Sequence, residues 1–569
     1  MTAVQQRLVR LFEHADKVYK NEEIDARIEN LSLLYESSKP GVTEGSVVHV
    51  NKVYPRVRTA MSSLFGKRPE IIVRPRRAED IRAASDAEVL LNYMTRALKL
   101  SRELRDWLFW ARLGMYGAMK LGMTTWHDLK MPTFFAHDPR SVRVDVTQGR
   151  FRPEEGAWQA FRYQKSVAEL RASGLYREEA INEIMDTRPG SHEESTEETT
   201  EVMIWEQYIR ERVEGRKAIL VVTSVHQVQT QTLSPDSWKW IREEPFTDVA
   251  GLPGRFLAFI PSTRKVLPVS PIELWMSQQT EINAFRTQKL LHAERSNRKR
   301  IYDATAFIPE ESAKFEDPNP DLYIAATPTR QASLRDAIIE EPMTTVSPDV
   351  YTGELEADNT ITEIDGIGSA QLSSELPKRG STSATRDAIM DHALRLRMSD
   401  NQEIFDEALE DAYQGLLNLA QVHMDGALVV KLLGQDQRRI SKAEIKGDLD
   451  VILSFGSTTA RDAEREWQEA RELFELFRGD PDINQVRLKR YVLQKRKDIK
   501  DADQWIVPAM PAMPPPVPGL PGVPGAGPAL PMNGAGLGTP QAVGQELAGT
   551  QQVEGTSPLS IAAAIRGML

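Results

Sequence analysis

Hydrophobic residues recur at intervals of three and four along residues 80–123, and this spacing predicts helix. The apolar positions of the second half share one face: Leu104, Trp107, Leu108, Ala111, Met115 and Ala118. A stripe of this kind is typical of a helix that packs into a hydrophobic core. Upstream, the pattern predicts one or two helices before residue 37, an extended piece over 47–53, a helix over 57–65 and a strand over 71–73.

Residues 124–260 alternate short β-like runs with polar loops, so they predict a β-rich region. Helical periodicity returns over residues 266–300. Ser270 suits the N-cap of this helix and Pro271 suits its first position, because proline lacks the N–H that would be unpaired there.

The second long helical pattern covers residues 383–423, with Ser399 to Asn401 as the candidate point for a kink or a break. Two strand-like pieces follow, and then a helical pair split by Gly479 and Pro481. From residue 507 the chain is rich in proline and glycine, which predicts a flexible tail without regular structure.

Two consecutive predicted helices differ in the sign of their charge. The end of the helix over 266–300 collects basic residues: Arg286, Lys289, Arg295, Arg298, Lys299 and Arg300. The stretch over 347–366 has acids and no Lys or Arg: Asp349, Glu354, Glu356, Asp358, Glu363 and Asp365. Opposite charge predicts antiparallel pairing of the two helices. Charge alone leaves two unrelated solvated helices open as the alternative.

Composition limits the classes of function. The 569 residues include 71 Lys and Arg against 82 Asp and Glu, a formal net charge of -11, which argues against a surface built to hold nucleic acid tightly. The absence of cysteine excludes disulfides, thiolate metal sites and thiol nucleophiles. The N-terminus lacks a signal-peptide pattern and no apolar run approaches the roughly 18 residues of a membrane helix. We therefore expect a soluble protein made in a reducing cytoplasm, with no membrane partner.

The stretch LPKRGSTSATRDAI, residues 376–389, places two basic residues and four hydroxyls around the start of a helical pattern. Such a helix N-terminus is a general anion site, because unpaired N–H groups and the helix dipole both point at the charge. Lys378 precedes the glycine instead of following it, which disfavours a Walker-type nucleotide loop. The open interpretations are contact with a nucleic-acid backbone and a solvated turn capped by Ser383 or Thr385.

No enzyme signature is recognisable. The sequence has no HExxH, no G-x-S-x-G, no EF-hand loop and no strand-borne GxGxxG, and its nine histidines are scattered. His137 beside Asp138 has no assignable nucleophile, so we expect a surface turn there. The expectation is no catalytic residue, no metal and no cofactor. A carboxylate-dependent two-metal nuclease is the enzyme alternative.

Five segments follow one another in a specific order: NKVYPRVRTAMSSLFGKRPEIIVRPR, DWLFWARLGMYGAMKLG, PVSPIELWMSQQTEINAFRTQKLL, GSTSATRDAI and LSFGSTTARDAEREWQEA. In this order they resemble the portal, or head-to-tail connector, proteins of tailed bacteriophages, over roughly residues 51–500. The resemblance implies a mainly α fold with a β-rich wing region (α+β). It also implies a ring of twelve subunits, with wing, stem, clip and crown regions around a channel for double-stranded DNA.

The resemblance further implies these regions: 1–265 N-terminal helices and wing, 266–300 first stem helix, 301–346 clip, 347–370 second stem helix, 371–385 tunnel loop, 386–458 long helix and wing strands, 459–506 crown helices, 507–569 flexible tail. The tunnel loop would present five residues to DNA phosphates: Lys378, Arg379, Ser381, Thr382 and Ser383. The channel-facing acids of the second stem helix would be Glu354, Glu356, Asp358 and Glu363. A stem and clip basic cluster, pairing with an adjacent subunit or the packaging motor, would be Arg295, Arg298, Lys299 and Arg300.

The implied partners are further copies of the chain, double-stranded DNA in transit, the terminase large subunit, the major capsid and scaffolding proteins, and a head-tail adaptor. The implied location is the portal vertex of a virion, with the packaging ATPase on a separate motor subunit. The main alternative is a scaffold or adaptor protein that oligomerises without conducting DNA. That alternative explains the helices equally well, but it predicts no loop at residues 376–385 lining a channel.

Overall fold

The structure of the chain is a computed structural model. It describes residues 2–37, 48–186, 201–213, 216–226, 238–246, 251–295, 300–302, 338–340, 347–367, 384–424, 427–431, 437–454, 463–478, 480 and 485–495. Every described residue belongs to one unit, within Met1–Val507.

The helices of the described part are α1 (Ala3–Asn21), α2 (Ile24–Tyr35), α3 (Val53–Leu64), α4 (Ile81–Ala97), α5 (Ser101–Leu113), α6 (Val167–Ser173), α7 (Glu178–Asp186), α8 (Met276–Arg295), α9 (Pro348–Asp365), α10 (Ala384–His423), α11 (Ala463–Phe477) and α12 (Gln485–Lys495). The strands are β1 (Ile71–Pro75), β2 (Gly117–Trp126), β3 (Leu129–His137), β4 (Val142–Val144), β5 (Trp158–Ser166), β6 (Glu201–Val213), β7 (Arg216–His226), β8 (Trp238–Phe246), β9 (Gly254–Leu257), β10 (Arg300–Tyr302), β11 (Ile338–Glu340), β12 (Ala427–Lys431), β13 (Gln437–Ser441) and β14 (Leu449–Leu453). The chain therefore has a mixed α+β fold in which all paired strands of the described part are antiparallel.

One hydrophobic core joins α3, α4, α5 and the C-terminal half of α10. The apolar stripe of α5 is buried there, as its spacing predicts, and Trp107 is completely enclosed. Phe405 of α10 lies with its ring centre 6.2 Å from Trp107 and 6.0 Å from Phe65 at the end of α3. These aromatic contacts join α10 to α5 and to the end of α3.

The helix predicted through residue 123 ends earlier than expected. α5 ends at Leu113 and β2 begins at Gly117, so Met115 lies in the connection and Ala118 lies in the strand. Gly117 explains the break, because a Cβ there would lie 2.1 Å from the Trp107 carbonyl oxygen where the chain turns back over α5. Met115 and Ala118 are buried, but in a second core beneath the sheets.

The two-stranded sheet β1–β14 has both outer edges covered by helices. On the β1 edge, the Ile71 and Val73 amides donate to the side chains of Asn92 and Glu88 of α4, at 3.1 Å each. Residues two apart in a strand and four apart in a helix are both about 6 Å apart, so the two spacings match. On the β14 edge, the Val451 and Leu453 amides donate to the side chains of Gln414 and Glu410 of α10, at 3.0 and 2.9 Å, with the same spacing. Strand edges that would otherwise be open to pairing are thereby closed.

The β-rich region predicted after residue 124 consists of two sheets, with strand orders β3-β2-β9 and β4-β5-β6-β7-β8. α1 packs on the larger sheet through Phe12, whose ring centre lies 6.0, 4.9 and 5.0 Å from Trp158, Trp205 and Trp238. The sheet region begins inside the stretch that was predicted as helix, because β2 starts at Gly117.

α10 is one continuous helix of 40 residues, about 60 Å long. The helix is not interrupted at Ser399 to Asn401, so the prediction of a break there is wrong. From Phe405 onwards one side of α10 is buried in the main core, and this packing stabilises the helix despite weak local propensity.

The strands predicted after the long helix form β12 and β14, and β13 was not predicted. β12 pairs with β13 while β14 pairs with β1, so these strands lie outside the two sheets of residues 117–257. α11 and α12 confirm the predicted helical pair. Within 301–346 the described residues belong to β10 and β11, which pair with each other.

Candidate nucleic-acid interface

α8 and α9 lie antiparallel and in contact. In the second half of α8, Arg286 Nε lies 2.5 Å from Glu354 Oε1, and Lys289 forms an ion pair with the other oxygen of Glu354. Gly353 permits the close approach, because a Cβ there would lie 2.5 Å from the ring of Phe285. The antiparallel pairing predicted from opposite charge is therefore confirmed.

The start of α8 follows the predicted signal with a short delay. The Ser270 hydroxyl accepts from the Ile272 amide at 3.2 Å, and the Ser270 amide donates to Glu273 at 3.2 Å. A turn of 3₁₀ helix, Glu273–Trp275, precedes α8. At its other end α8 is described as far as Arg295. Arg300 begins β10, so the prediction that the helix continues to residue 300 is wrong.

An extended segment, residues 48–52, fixes α8 from a second side. The amides of Val48, Val50 and Lys52 donate to Thr287, Asn283 and Gln279 at 3.2, 2.9 and 3.3 Å. These are alternate residues of the segment and every fourth residue of the helix, the same match of spacings that covers the edges of the β1–β14 sheet. The predicted extended piece thus has a defined role: it holds α8 against the body of the protein.

The acids of α9 divide into an inner and an outer set. Three are bound by cations of the same chain: Glu354 by Arg286 and Lys289, Asp358 by Lys52 (3.1 Å) and Arg56 (3.6 Å), and Asp365 by Arg56 (3.7 Å) and Arg112 (3.3 Å). The other three are exposed: Asp349, Glu356 and Glu363. The exposed acids are seven residues apart, which places them in one row with a spacing of about 10 Å. We call this set the outer acidic row.

A buried ion cluster anchors the C-terminal end of α9. The side chains of Arg56, Arg112 and Asp365 are 3%, 5% and 4% exposed. Arg56 also donates to the carbonyl of Ile367 at 3.2 Å, just beyond Gly366, whose φ of 74° ends the helix. Burial lowers the pKa of the Arg112 guanidinium, and the neighbouring Asp365 carboxylate opposes this shift. The chain is thus held firmly at the point where it enters the predicted tunnel loop.

The predicted site residues fall into three groups. Glu354 and Asp358, predicted to face a channel, are bound within the chain, while Glu356 and Glu363 are exposed members of the outer acidic row. Of the predicted basic cluster, Arg295 is the last residue of α8 and Arg300 the first of β10. The remaining predicted residues lie outside the described part: Arg298, Lys299, Lys378, Arg379, Ser381, Thr382 and Ser383.

A second buried ion pair joins the two sheets. Lys120 of β2 binds Glu206 of β6, and the Lys120 ammonium lies 5.1 and 5.2 Å from the ring centres of Tyr163 and Tyr208. Although burial alone would lower it, the Glu206 carboxylate raises the pKa of Lys120 well above its usual value. His137 lies beside them, 9% exposed, so the surface turn predicted for it is wrong. Burial, followed by the Lys120 charge, lowers the pKa of His137 to about 4.

Among the residues that the structure describes, no group of three or more His, Asp or Glu is placed to hold a metal ion. In the same part of the chain, no helix combines the length and the apolar character needed to cross a bilayer.

The sequence reasoning missed the buried arginines, Arg56 and Arg112, although a signal for them exists. Arg112 follows Leu104 and Leu108 at intervals of four, so it lies on the apolar stripe of α5. A cation on such a stripe predicts a buried carboxylate partner, because an unpaired buried charge is costly. Asp365 is seven residues from Asp358 and therefore shares its side of α9, which makes it a candidate for that partner.

No protein-family model matches the sequence, and a comparison with curated proteins gives no match. Among solved structures, the chain is similar to one from the neck of an empty gene transfer agent (GTA) particle, computed with C6 symmetry. That pair has 11% identity and a TM-score of 0.39, and covers 82% of this chain and 93% of that chain. A second similar chain comes from the virion of a native gene transfer agent particle, with 10% identity, a TM-score of 0.32, and coverage of 82% and 98%. Because both TM-scores lie below 0.5, we argue function from the contacts of this chain.

Proposed function

We propose that the chain is a virion head-to-tail connector of the portal type. In this proposal twelve copies close a ring at one capsid vertex, and double-stranded DNA passes through the ring during packaging and ejection. The terminase large subunit and the head-tail adaptor dock on the ring, and capsid and scaffolding proteins surround it. The chain itself catalyses nothing; the ATPase is a separate subunit.

The observation that carries the proposal is the division of the acids on α9. Three acids form ion pairs with cations of the same chain, and three solvent-exposed acids form the outer acidic row. The C-terminal end of this helix is held by the buried ion cluster of Arg56, Arg112 and Asp365. A conduit must keep DNA centred without gripping it, because each phosphate neutralised by Lys or Arg releases counterions and adds affinity that resists sliding. A row of carboxylates repels phosphates over roughly 8 Å at physiological ionic strength, and so it suits the wall of such a channel.

The tunnel loop supplies the opposite chemistry in this proposal. Residues 371–385 connect the anchored end of α9 with α10, which is packed into the core from Phe405 onwards. Lys378 and Arg379, with the hydroxyls of the following Ser and Thr residues, would touch phosphates as DNA passes. In this arrangement a narrow ring of basic residues touches the DNA between acidic walls, and the channel has no continuous basic groove.

Reversing the outer acidic row tests the proposal. The double variant Glu356→Lys with Glu363→Lys should bind double-stranded DNA at least about tenfold more tightly than the wild type, with a steeper salt dependence, because it lines the channel with cations. Gel mobility shifts over a range of salt concentrations measure both quantities.

The matched control is Glu178→Lys with Glu179→Lys, which makes the same change of charge at exposed positions of α7. The control should leave DNA binding near the wild-type level. Equal gains in affinity for the two double variants would show that net charge, rather than a channel lined by α9, governs DNA binding.

A further inference from the structure

The hairpin of α11 and α12 carries apolar residues on its outside. The two helices pack against each other, with Ala470 buried and Phe474 half-buried. Leu476 is 75% exposed and Leu473, three residues earlier, is 41% exposed. Tyr491 of α12 is 43% exposed. Two large aliphatic side chains one turn apart on a solvated helix form a ridge that another apolar surface would cover.

The two helices of this hairpin have opposite charge. α11 contains five glutamates and two arginines, whereas α12 contains four Lys and Arg residues and no acid. Exposed side chains show the same opposite charges: Glu472 lies beside the leucine ridge on α11, and Lys489 lies on α12. Arg471, two residues before Leu473, is bound to Glu475 of its own helix at 3.0 Å.

We propose that α11 of one copy docks its leucine ridge and its acids against α12 of the next copy of this chain. This inference rests on the proposed ring, and it names the surface through which neighbouring crown helices meet. A contact of α11 with α11 would place acid against acid, at a cost in repulsion. A contact of α11 with α12 of the next copy brings the acidic helix against the basic one, and head-to-tail repetition of that contact generates a ring. Charge thus favours the α11–α12 contact, which a ring can repeat.

Removal of the ridge tests the contact. Leu476→Ser should lower the fraction of closed rings at least about tenfold at a fixed protein concentration, since each contact loses most of the burial of a leucine side chain. The matched control is Leu175→Ser, at a leucine that is 50% exposed between α6 and α7. Native mass spectrometry counts rings and smaller species. Both leucines are exposed, so neither variant should lose its fold, and far-ultraviolet circular dichroism checks this.

Mixing of charge variants tests whether the contact joins different copies. Glu472→Lys places like charges across the contact, and so does Lys489→Glu, so each variant alone should assemble poorly. In an alternating mixture of the two, every contact again joins opposite charges, and rings should return to near the wild-type level. A contact within one chain cannot be repaired by mixing.

If the wild type forms closed rings and the Leu476→Ser variant forms them equally well, this inference is overturned and the proposed function stands. Failure of the mixture to assemble better than its components would also overturn it. If the wild type forms no assembly at any concentration, either alone or with capsid and scaffolding proteins, both the inference and the proposed function fail.

Discussion

Asp365→Asn should loosen the end of α9 more than any change at a surface ion pair. Asp365 lies 3.3 Å from Arg112 and 3.7 Å from Arg56, and all three side chains are almost fully buried. With an effective dielectric constant of about 20, each contact is worth about 5 kcal/mol before the cost of desolvation. Removal of the carboxylate charge leaves two buried guanidinium groups underpaired, and breaking a buried pair in this way costs about 3–5 kcal/mol.

Native-state hydrogen exchange is the appropriate assay, because it reports local opening in a chain too large for simple two-state unfolding. Amides in the last turn of α9 should exchange at least about 100-fold faster in the variant, the equivalent of about 3 kcal/mol. The control is Asp448→Asn, which removes an exposed contact of 3.2 Å with Arg76 and should leave the exchange rates near those of the wild type. If the two variants change exchange equally, the buried cluster does not anchor α9.

Two further predictions concern packing and pH. Gly353→Val should weaken the contact of α8 with α9 by about 1–3 kcal/mol, because the new Cβ would meet the ring of Phe285. Thermal melts measure this loss of stability. The control is Gly251→Val, because a Cβ at Gly251 would meet no atom within 4 Å. The folded-state pKa of His137 is about 4, below the usual value of 6.5. The folded protein therefore holds the ring neutral, and above about pH 6.5 this contributes about 3 kcal/mol to the free energy of unfolding. The contribution is lost as the pH falls towards 4. The variant His137→Asn should lose that part of the pH dependence in urea unfolding measured between pH 7 and 4; an unchanged slope would contradict the assignment.

The sequence predicts those elements whose periodicity and packing agree. The stripe of Leu104, Trp107 and Leu108 is helical and buried, and opposite charge correctly pairs α8 with α9. The failures arise where tertiary contacts override local pattern. Gly117 turns the chain into a strand because its backbone passes against Trp107, and α10 continues through Ser399 because its later turns are embedded in the core. A single-sequence pattern contains neither of these contacts.

The candidate site shows the same limit. Charge pattern locates the acidic helix, but it does not distinguish Glu354, which is neutralised by two cations, from Glu356, which is exposed. That distinction depends on where Arg286 and Lys289 lie in three dimensions. The one sign in the sequence of the acids that are bound within the chain is an arginine on an apolar stripe. The hydrogen-bonded match between alternate strand amides and every fourth helix residue has no sequence signature, because the partners are far apart along the chain.

Electron microscopy of the purified protein tests the central claim most directly. We predict closed rings with an axial hole, with twelve copies of the 64.1 kDa chain and a mass of about 770 kDa, in which Glu356 and Glu363 line the hole. A closed ring with these residues on its outer surface would contradict the role assigned to α9. Persistent monomers or open oligomers, in the presence of capsid and scaffolding proteins as well as alone, would contradict the connector itself.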